Sequence, residues 1–132
     1  MFQVTEDTPT RAVDGGVVIV SGPGGCPWVT DPKRPHLGGN FDGGDLGTQY
    51  PDDLWPWLLE TLEPRTVADV GCGTGETLGW FLRHGCSGVG VEGLEWNASR
   101  ARERTGGRVI LHDFESGSCA LGVDVVNGVD LV

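Results

Sequence analysis

Positively charged residues are scarce in this chain of 132 residues. It has 9 lysines and arginines against 19 aspartates and glutamates, which gives a formal net charge of −10. Such an excess of negative charge speaks against a broad phosphate-binding surface, and therefore against a nucleic-acid partner. The arginines that lie close together in sequence, Arg100, Arg102, Arg104 and Arg108, have Glu103 among them. We interpret this cluster as a solvated helix face rather than a docking patch.

Paired cysteine motifs are missing. The four cysteines, Cys26, Cys72, Cys86 and Cys119, have wide and irregular spacing, and no two of them form a C-x-x-C pair. This pattern predicts neither a metal site nor a disulfide framework, and it fits reduced thiols in the cytoplasm.

Long hydrophobic segments are also absent. Residues 1–7 lack the basic start and the apolar core of a signal peptide, and no apolar run approaches the length of a membrane span. The sequence therefore predicts a cytoplasmic protein without membrane contact. Its length allows one domain at most.

The most informative segment that is present covers residues 67–78. A short apolar run containing Asp69 passes through glycines at alternate positions, Gly71, Gly73 and Gly75, and enters a helical pattern. Because glycine has no Cβ atom, a ligand can approach such a backbone closely. The segment predicts a strand, a turn and a helix that together form a cofactor site.

Two common nucleotide-binding motifs are excluded, because each needs residues that this chain lacks. The dinucleotide fingerprint G-x-G-x-x-G needs a final glycine where this chain has Glu76, and a carboxylate at a helix N-terminus is unfavourable for a pyrophosphate. No Gly-Lys-Ser/Thr follows the turn, which excludes a P-loop.

The remaining pattern, Asp69-x-Gly71-x-Gly73-x-Gly75, resembles motif I of the class I S-adenosylmethionine-dependent methyltransferases. The resemblance implies an α/β, Rossmann-like fold with a mostly parallel sheet and flanking helices. It also implies S-adenosylmethionine as the cofactor. Asp69 and the glycine turn would hold its methionine part.

Two later predicted strands carry acidic residues at positions that fit this resemblance. Residues 87–92 form a short apolar run that ends in Glu92, where a carboxylate can accept hydrogen bonds from both ribose hydroxyls. A helical segment follows, and then a strand predicted over residues 108–114. The resemblance implies that Asp113 receives the exocyclic amine of adenine and that Phe114 packs against the ring. The implied cofactor-binding residues are Asp69, Gly71, Cys72, Gly73, Gly75, Glu92, Gly93, Asp113 and Phe114, and no catalytic residue is implied.

Other interpretations of these residues stay open. The chain has 23 glycines, so the cluster can be only a turn. Glu92 can be a solvated carboxylate, Asp113 can cap a turn through its own backbone, and Cys72 suits a small space-filler better than a nucleophile.

Two further classes of function stay open beside the methyltransferase. One is a nicotinamide-dependent oxidoreductase or epimerase with a degenerate glycine loop, since Glu92 would suit it equally well. The other is a non-catalytic, methyltransferase-like module that serves as a scaffold. For a methyltransferase the acceptor is unknown, although the charge favours a small molecule or a protein over a nucleic acid.

The segment before the turn is interpreted as an N-terminal extension with a glycine-rich loop, residues 1–50, followed by a partial methyltransferase domain, residues 51–132. The stretch before Gly15 shows no periodicity and is expected to be loose. Residues 17–20 suggest a hairpin arm with a partner near residues 27–30.

A helix is predicted over Leu54–Leu62, with Asp53 as its N-cap. The glycine-rich loop spans residues 35–45. By hypothesis, the part from Asn40 to Tyr50 forms a lid over the methionine end of the cofactor, with Tyr50 as its contact.

Residues 128–132 are predicted to start a fourth strand. We therefore expect a sheet that is incomplete at its C-terminal end, in a truncated chain whose unpaired edge lowers its stability. In the resembled family the residues that orient the methyl acceptor usually follow the fourth strand.

Overall fold

The part of the chain that the structure describes contains two β-sheets of different type. The computed structural model describes residues 10–12, 18–21, 27–41, 53–121 and 128–132. Over these residues the chain forms a four-stranded antiparallel sheet and then a three-stranded parallel sheet with flanking helices. The second unit is a small Rossmann-like α/β fold, as the sequence predicts.

The first sheet is a meander of four short strands, β1 Thr10–Ala12, β2 Val18–Ser21, β3 Pro27–Thr30 and β4 Gly38–Phe41. The pairing of β2 with β3 confirms the predicted hairpin. Two expectations were wrong, since β1 lies in the stretch expected to be loose and β4 lies in the predicted glycine-rich loop. An antiparallel ladder is held by backbone hydrogen bonds, so neither the three residues of β1 nor the glycine-rich β4 need show side-chain periodicity.

Helix α1, Leu54–Leu62, has the predicted bounds and lies before the parallel sheet. Asp53 occupies the N-cap position, but its side chain makes no capping hydrogen bond, so that detail of the prediction was wrong. The residue already has helical dihedral angles, which explains why its carboxylate does not cap the helix end. The apolar face of α1 packs against a cluster that includes Phe81.

The α/β unit alternates strands and helices, as β5 Thr66–Val70, α2 Glu76–Arg83, β6 Ser87–Glu92, α3 Glu95–Thr105 and β7 Val109–Leu111. Both strand pairs are parallel, and β6 is the central strand. The third predicted strand was too long, because β7 ends at Leu111 and a 3-10 turn follows at Phe114–Ser116.

Glycines in β6 let helix α2 lie close to the sheet. A Cβ at Gly88 would stand 2.6 Å from the Val67 carbonyl oxygen, and one at Gly90 would stand 2.8 Å from the Cys72 sulfur. Leu78 of α2 fills the space above both glycines and is fully buried. The close fit between α2 and β6 therefore fixes the helix that follows the glycine turn.

The segment predicted to start a fourth strand makes a single parallel bridge, between Val67 and Leu131, on the side of β5 away from β6. The Ala68 N–H donates to the Leu131 carbonyl at 2.9 Å. The Asp130 carboxylate accepts the N–H groups of Arg65 and Thr66 at 2.8 and 2.9 Å. Residues 128–132 thus pair in parallel with β5, as a bridge rather than as the start of a full strand.

Gly75 provides a test of helix packing. Its φ is +80°, and an added Cβ would lie 3.0 Å from Ala101 of α3. Gly75→Ala is expected to destabilise the fold by about 2–5 kcal/mol, from a strained left-handed backbone and an overpacked contact. Gly85→Ala is the control, since Gly85 has φ +90° and no atom within 4 Å of the added Cβ. It should cost only about 1–2 kcal/mol. Urea unfolding measures both losses, and equal losses would contradict a packing role for Gly75.

Candidate functional site

A cavity of about 460 Å³ lies at the carboxyl ends of the parallel strands. In open α/β sheets this is the edge at which ligands bind. Six of the residues proposed from the sequence line it, namely Gly71, Gly73, Glu92, Gly93, Asp113 and Phe114. The other lining residues were not anticipated, and they are His36, Leu37, Gly38, Val91, Asn97, His112 and Glu115.

The glycine turn forms the floor of the cavity beside β6. Gly71 and Gly73 have φ angles of +76° and +55°, and no heavy atom lies within 4 Å of an added Cβ at either position. The N–H groups of Gly71 and Cys72 both donate to the Val91 carbonyl, at 2.8 and 3.0 Å. Positive φ explains why glycine is needed at these two positions. The hydrogen bonds dock the turn onto the end of β6.

Glu92 is buried, with 7% of its surface exposed, and both of its carboxylate oxygens are hydrogen-bonded. Oε2 accepts the N–H of Gly73 at 2.9 Å, and Oε1 accepts the N–H of Leu94 at 2.8 Å. A carboxylate has about four acceptor sites, so Glu92 can still accept bonds from a ligand. It therefore supports the turn and the start of α3 while facing the cavity, a structural role that the sequence did not reveal.

Asp113 is fixed by two donors on different oxygens. Its Oδ1 accepts the N–H of Glu115 at 3.0 Å, and its Oδ2 lies 2.9 Å from Nε2 of His36. The second nitrogen of His36 lies 3.5 Å from the Glu115 carboxylate. The hydrogen bond from His36, followed by that from the Glu115 backbone, lowers the pKa of Asp113 below its usual value. Asp113 caps a turn and lines the cavity at once.

Phe114 is half exposed, at 51%, and its ring contacts the ring of His112 edge to face at a centroid distance of 5.1 Å. His112 in turn lies 2.9 Å from the Gly117 carbonyl oxygen through Nε2. The aromatic surface predicted from the sequence is therefore present at the cavity wall and open to a ligand.

Three residues proposed from the sequence, Asp69, Cys72 and Gly75, do not line the cavity. Gly75 packs against α3, where a Cβ would lie 3.0 Å from Ala101. Cys72 is buried in the cluster that contains Leu78, as a space-filler. Gly75 and Cys72 therefore serve packing in this structure.

Asp69 lies behind the glycine turn. Its carboxylate accepts the N–H of Leu78 at the start of α2, while Oδ2 is buried without a hydrogen-bond partner among the described residues. Burial raises the pKa of Asp69, and the negative charge of Glu92 acts in the same direction, against the hydrogen bond from Leu78. Contact between Asp69 and the methionine part of a cofactor stays a prediction.

The antiparallel sheet supplies the opposite wall of the cavity. His36 and Leu37 lie in the turn between β3 and β4, and Leu37 is buried with Val29 and Leu94. A Cβ at Gly93 would come within 2.5 Å of the Leu37 side chain, so glycine allows the close approach. No local sequence signal marks these contacts, since they join segments that are far apart in the chain.

The predicted lid falls largely outside the described residues. Asn40 and Phe41 belong to β4, and Tyr50 lies outside the part of the chain that the structure describes. The lid therefore stays a prediction.

The wall of the cavity is acidic. Glu92, Asp113 and Glu115 line it, and no lysine or arginine does so among the described residues. The described residues also contain no group of side chains that could hold a metal ion, and no helix among them is long and apolar enough to cross a bilayer.

Comparison with protein-family models gives no match, and comparison with curated proteins gives none either. The fold class therefore comes from the structure alone, and the function is argued from the site.

Asp69 generates a prediction about pH. A carboxyl whose pKa is raised by folding binds its proton more tightly in the folded state, so its stabilising effect declines as the pH rises from 3.8 through the raised pKa. Asp69→Asn cannot ionise and keeps an acceptor for the Leu78 N–H. The free energy of unfolding of the variant minus that of the wild type should be larger at pH 7 than at pH 4. Urea unfolding at both pH values measures this, with Asp53→Asn at an exposed position as control. A pH-independent difference would contradict the prediction.

Cys72 should be chemically inert. Burial, reinforced by the charges of Asp69 and Glu92, raises the pKa of its thiol to about 12. At pH 8 roughly one molecule in 10,000 then carries the thiolate. Iodoacetamide should therefore label the partly exposed Cys119 much faster than Cys72, as measured by peptide mapping over time. Similar labelling rates would argue against a buried, space-filling thiol.

Proposed function

We propose that this chain is the cofactor-binding part of a class I S-adenosylmethionine-dependent methyltransferase. The observation that carries the proposal is an acidic cavity at the carboxyl edge of a parallel sheet, floored by the glycine turn of Gly71 and Gly73. Its volume of about 460 Å³ is in the range of small-molecule sites.

The charge of the wall favours a sulfonium nucleoside over a dinucleotide. A pyrophosphate would lie against the carboxylates of Glu92, Asp113 and Glu115, with no lysine or arginine from the described lining to offset its charge. Like charges at close range are unfavourable in a partly desolvated cleft. A ligand that carries a positive sulfonium or ammonium group is instead attracted.

The hydrogen bonds of the glycine turn also argue against a phosphate-containing ligand. A phosphate site needs backbone N–H groups that face the ligand. Here the N–H groups of Gly71, Cys72, Gly73 and Gly75 already donate within the protein, to Val91, Glu92 and Cys72. The turn therefore offers shape and close approach rather than a cradle for anions.

Different residues of the wall bind different parts of the cofactor. Glu92 accepts the ribose hydroxyls, Asp113 accepts the exocyclic amine of adenine, and Phe114 packs on the ring. Gly71 and Gly73 let the methionine part approach the backbone, and Asp69 adds negative charge from behind the turn. Since the bound sulfonium already supplies an activated methyl group, the chain needs chiefly to orient it and exclude water.

The acceptor is proposed as a small molecule or a protein rather than a nucleic acid, on the net charge of −10. A location in the cytoplasm is proposed from the cysteine pattern. The three cysteines among the described residues, Cys72, Cys86 and Cys119, are free thiols.

Calorimetric titration separates the proposal from its alternatives. We expect saturable binding of S-adenosylhomocysteine and none of NAD⁺. Binding of NAD⁺ alone would support the oxidoreductase or epimerase instead. For the scaffold module the test uses a complete homologous chain: cofactor binding without methyl transfer to any member of a broad acceptor panel would support that module.

Glu92→Gln tests the ribose contact. The affinity for S-adenosylhomocysteine should fall about tenfold or more, since a hydrogen bond to a charged group contributes about 1.5–3 kcal/mol. The control is Glu103→Gln at an exposed position of α3, which should bind like the wild type. Because Glu92 also supports the turn, circular dichroism must show that the variant is folded at the titration temperature. An unchanged affinity in the folded variant would remove the assigned role.

A further inference from the structure

His36 connects the two sheets at the mouth of the cavity. It lies in the turn between β3 and β4, yet its Nε2 is 2.9 Å from Oδ2 of Asp113, 77 residues further along the chain. The other ring nitrogen of His36, Nδ1, lies 3.5 Å from Oε2 of Glu115. Both ring nitrogens are thus directed at carboxylates of the segment after β7. This arrangement places the His36 ring between two carboxylates of that segment.

The turn that carries His36 is held on both sides. Asp31 is buried, and its carboxylate accepts the Lys33 N–H at 2.9 Å and Nε of Arg34 at 3.0 Å. On the other side of His36, Leu37 is buried at 7% exposure, and its N–H donates to the Arg34 carbonyl at 2.9 Å. The backbone that carries His36 is therefore held in place next to Asp113.

The carboxylate of Asp113, paired with His36, favours a ligand that donates hydrogen bonds. With one oxygen bonded to the Glu115 N–H and the other to His36, its plane is fixed, and its remaining lone pairs can only accept. A nucleobase edge that carries an amino group can donate to them. An edge that carries a carbonyl group in the same place would bring oxygen against a negative oxygen.

We propose that His36 is a positioning residue that makes the site selective for an amino-bearing nucleobase, by holding Asp113 as a fixed acceptor. The inference rests on the proposed function, and it adds a contribution of the antiparallel sheet to cofactor recognition. A fixed acceptor discriminates between bases more strongly than a mobile one, because a mobile carboxylate can turn away from a repelling group.

The electrostatics at Asp113 support this role. The hydrogen bond from His36 is the largest cause of its lowered pKa, and the positive charge of Arg34 acts in the same direction. The carboxylate is therefore kept in the ionised form, which accepts hydrogen bonds and does not donate them.

The test compares two ligands that differ in one group. S-adenosylhomocysteine carries the amino group of adenine, and S-inosylhomocysteine carries the carbonyl of hypoxanthine in its place. Calorimetry on the full chain gives both dissociation constants for the wild type, His36→Ala and His36→Gln. The matched control is His84→Ala, since His84 is exposed and stacks on Trp80 at a centroid distance of 3.8 Å, outside the residues that line the cavity.

We expect the wild type to prefer the adenine ligand by about tenfold or more. His36→Ala should reduce this preference about fivefold, the loss of a partly exposed hydrogen bond to a charged group. His36→Gln should recover part of it, because the amide can donate near the position of Nε2, and His84→Ala should keep it in full. A purely structural role for His36 would lower both affinities and leave their ratio unchanged.

The outcomes separate this inference from the proposed function. If the wild type binds the adenine ligand and His36→Ala keeps the same ratio, the positioning role is overturned and the cofactor assignment stands. If the wild type binds neither ligand, both are overturned.

Discussion

The buried carboxylate of Glu92 is the interaction on which the site depends. It joins the glycine turn to the start of α3 through the N–H groups of Gly73 and Leu94, at 2.9 and 2.8 Å. A buried carboxylate without donors would be costly, so these bonds are what allow it to remain at the end of β6. They also fix where the turn lies. A ligand that reaches Glu92 therefore meets a carboxylate that is already ordered, and little conformational entropy is lost on contact.

The site is completed by the packing of the turn between β3 and β4 against the segment that joins β6 to α3. Leu37 packs under Gly93 and brings His36 to Asp113, so that the antiparallel sheet forms a wall of the cavity at the carboxyl edge of the parallel one. Apart from its histidines, every ionisable residue among the described residues of the wall is acidic. Carboxylates near each other in a partly desolvated cleft create a field that selects the sign of a ligand before any specific contact forms. Behind the turn, burial raises the pKa of Asp69, and the charge of Glu92 adds to that effect.

The alternation of strand and helix from Thr66 to Thr105 could be predicted because each element carries its own local signal. Glycine marks the turns, and short apolar runs mark buried strands. The prediction of β7 was too long because the Asp113 side chain bonds to the Glu115 backbone and forms a turn there. Gly75 fitted the motif by position, yet it serves helix packing. Spacing shows where glycine is present, and only the three-dimensional neighbours show which atom the missing Cβ makes room for.

The sequence by itself determined the class of the fold, the turn that follows the first parallel strand, and the acidic residues at or just after the ends of the next two strands. These depend on backbone conformation and on periodicity over a few residues, which neighbouring side chains encode directly. Only the tertiary structure decided that Asp69 and Cys72 lie behind the cavity wall and that His36 belongs to it. The contact between His36 and Asp113 spans 77 residues and exists because the turn between β3 and β4 packs against the segment that joins β6 to α3. Such contacts follow from the docking of complete surfaces, and no local pattern carries that information.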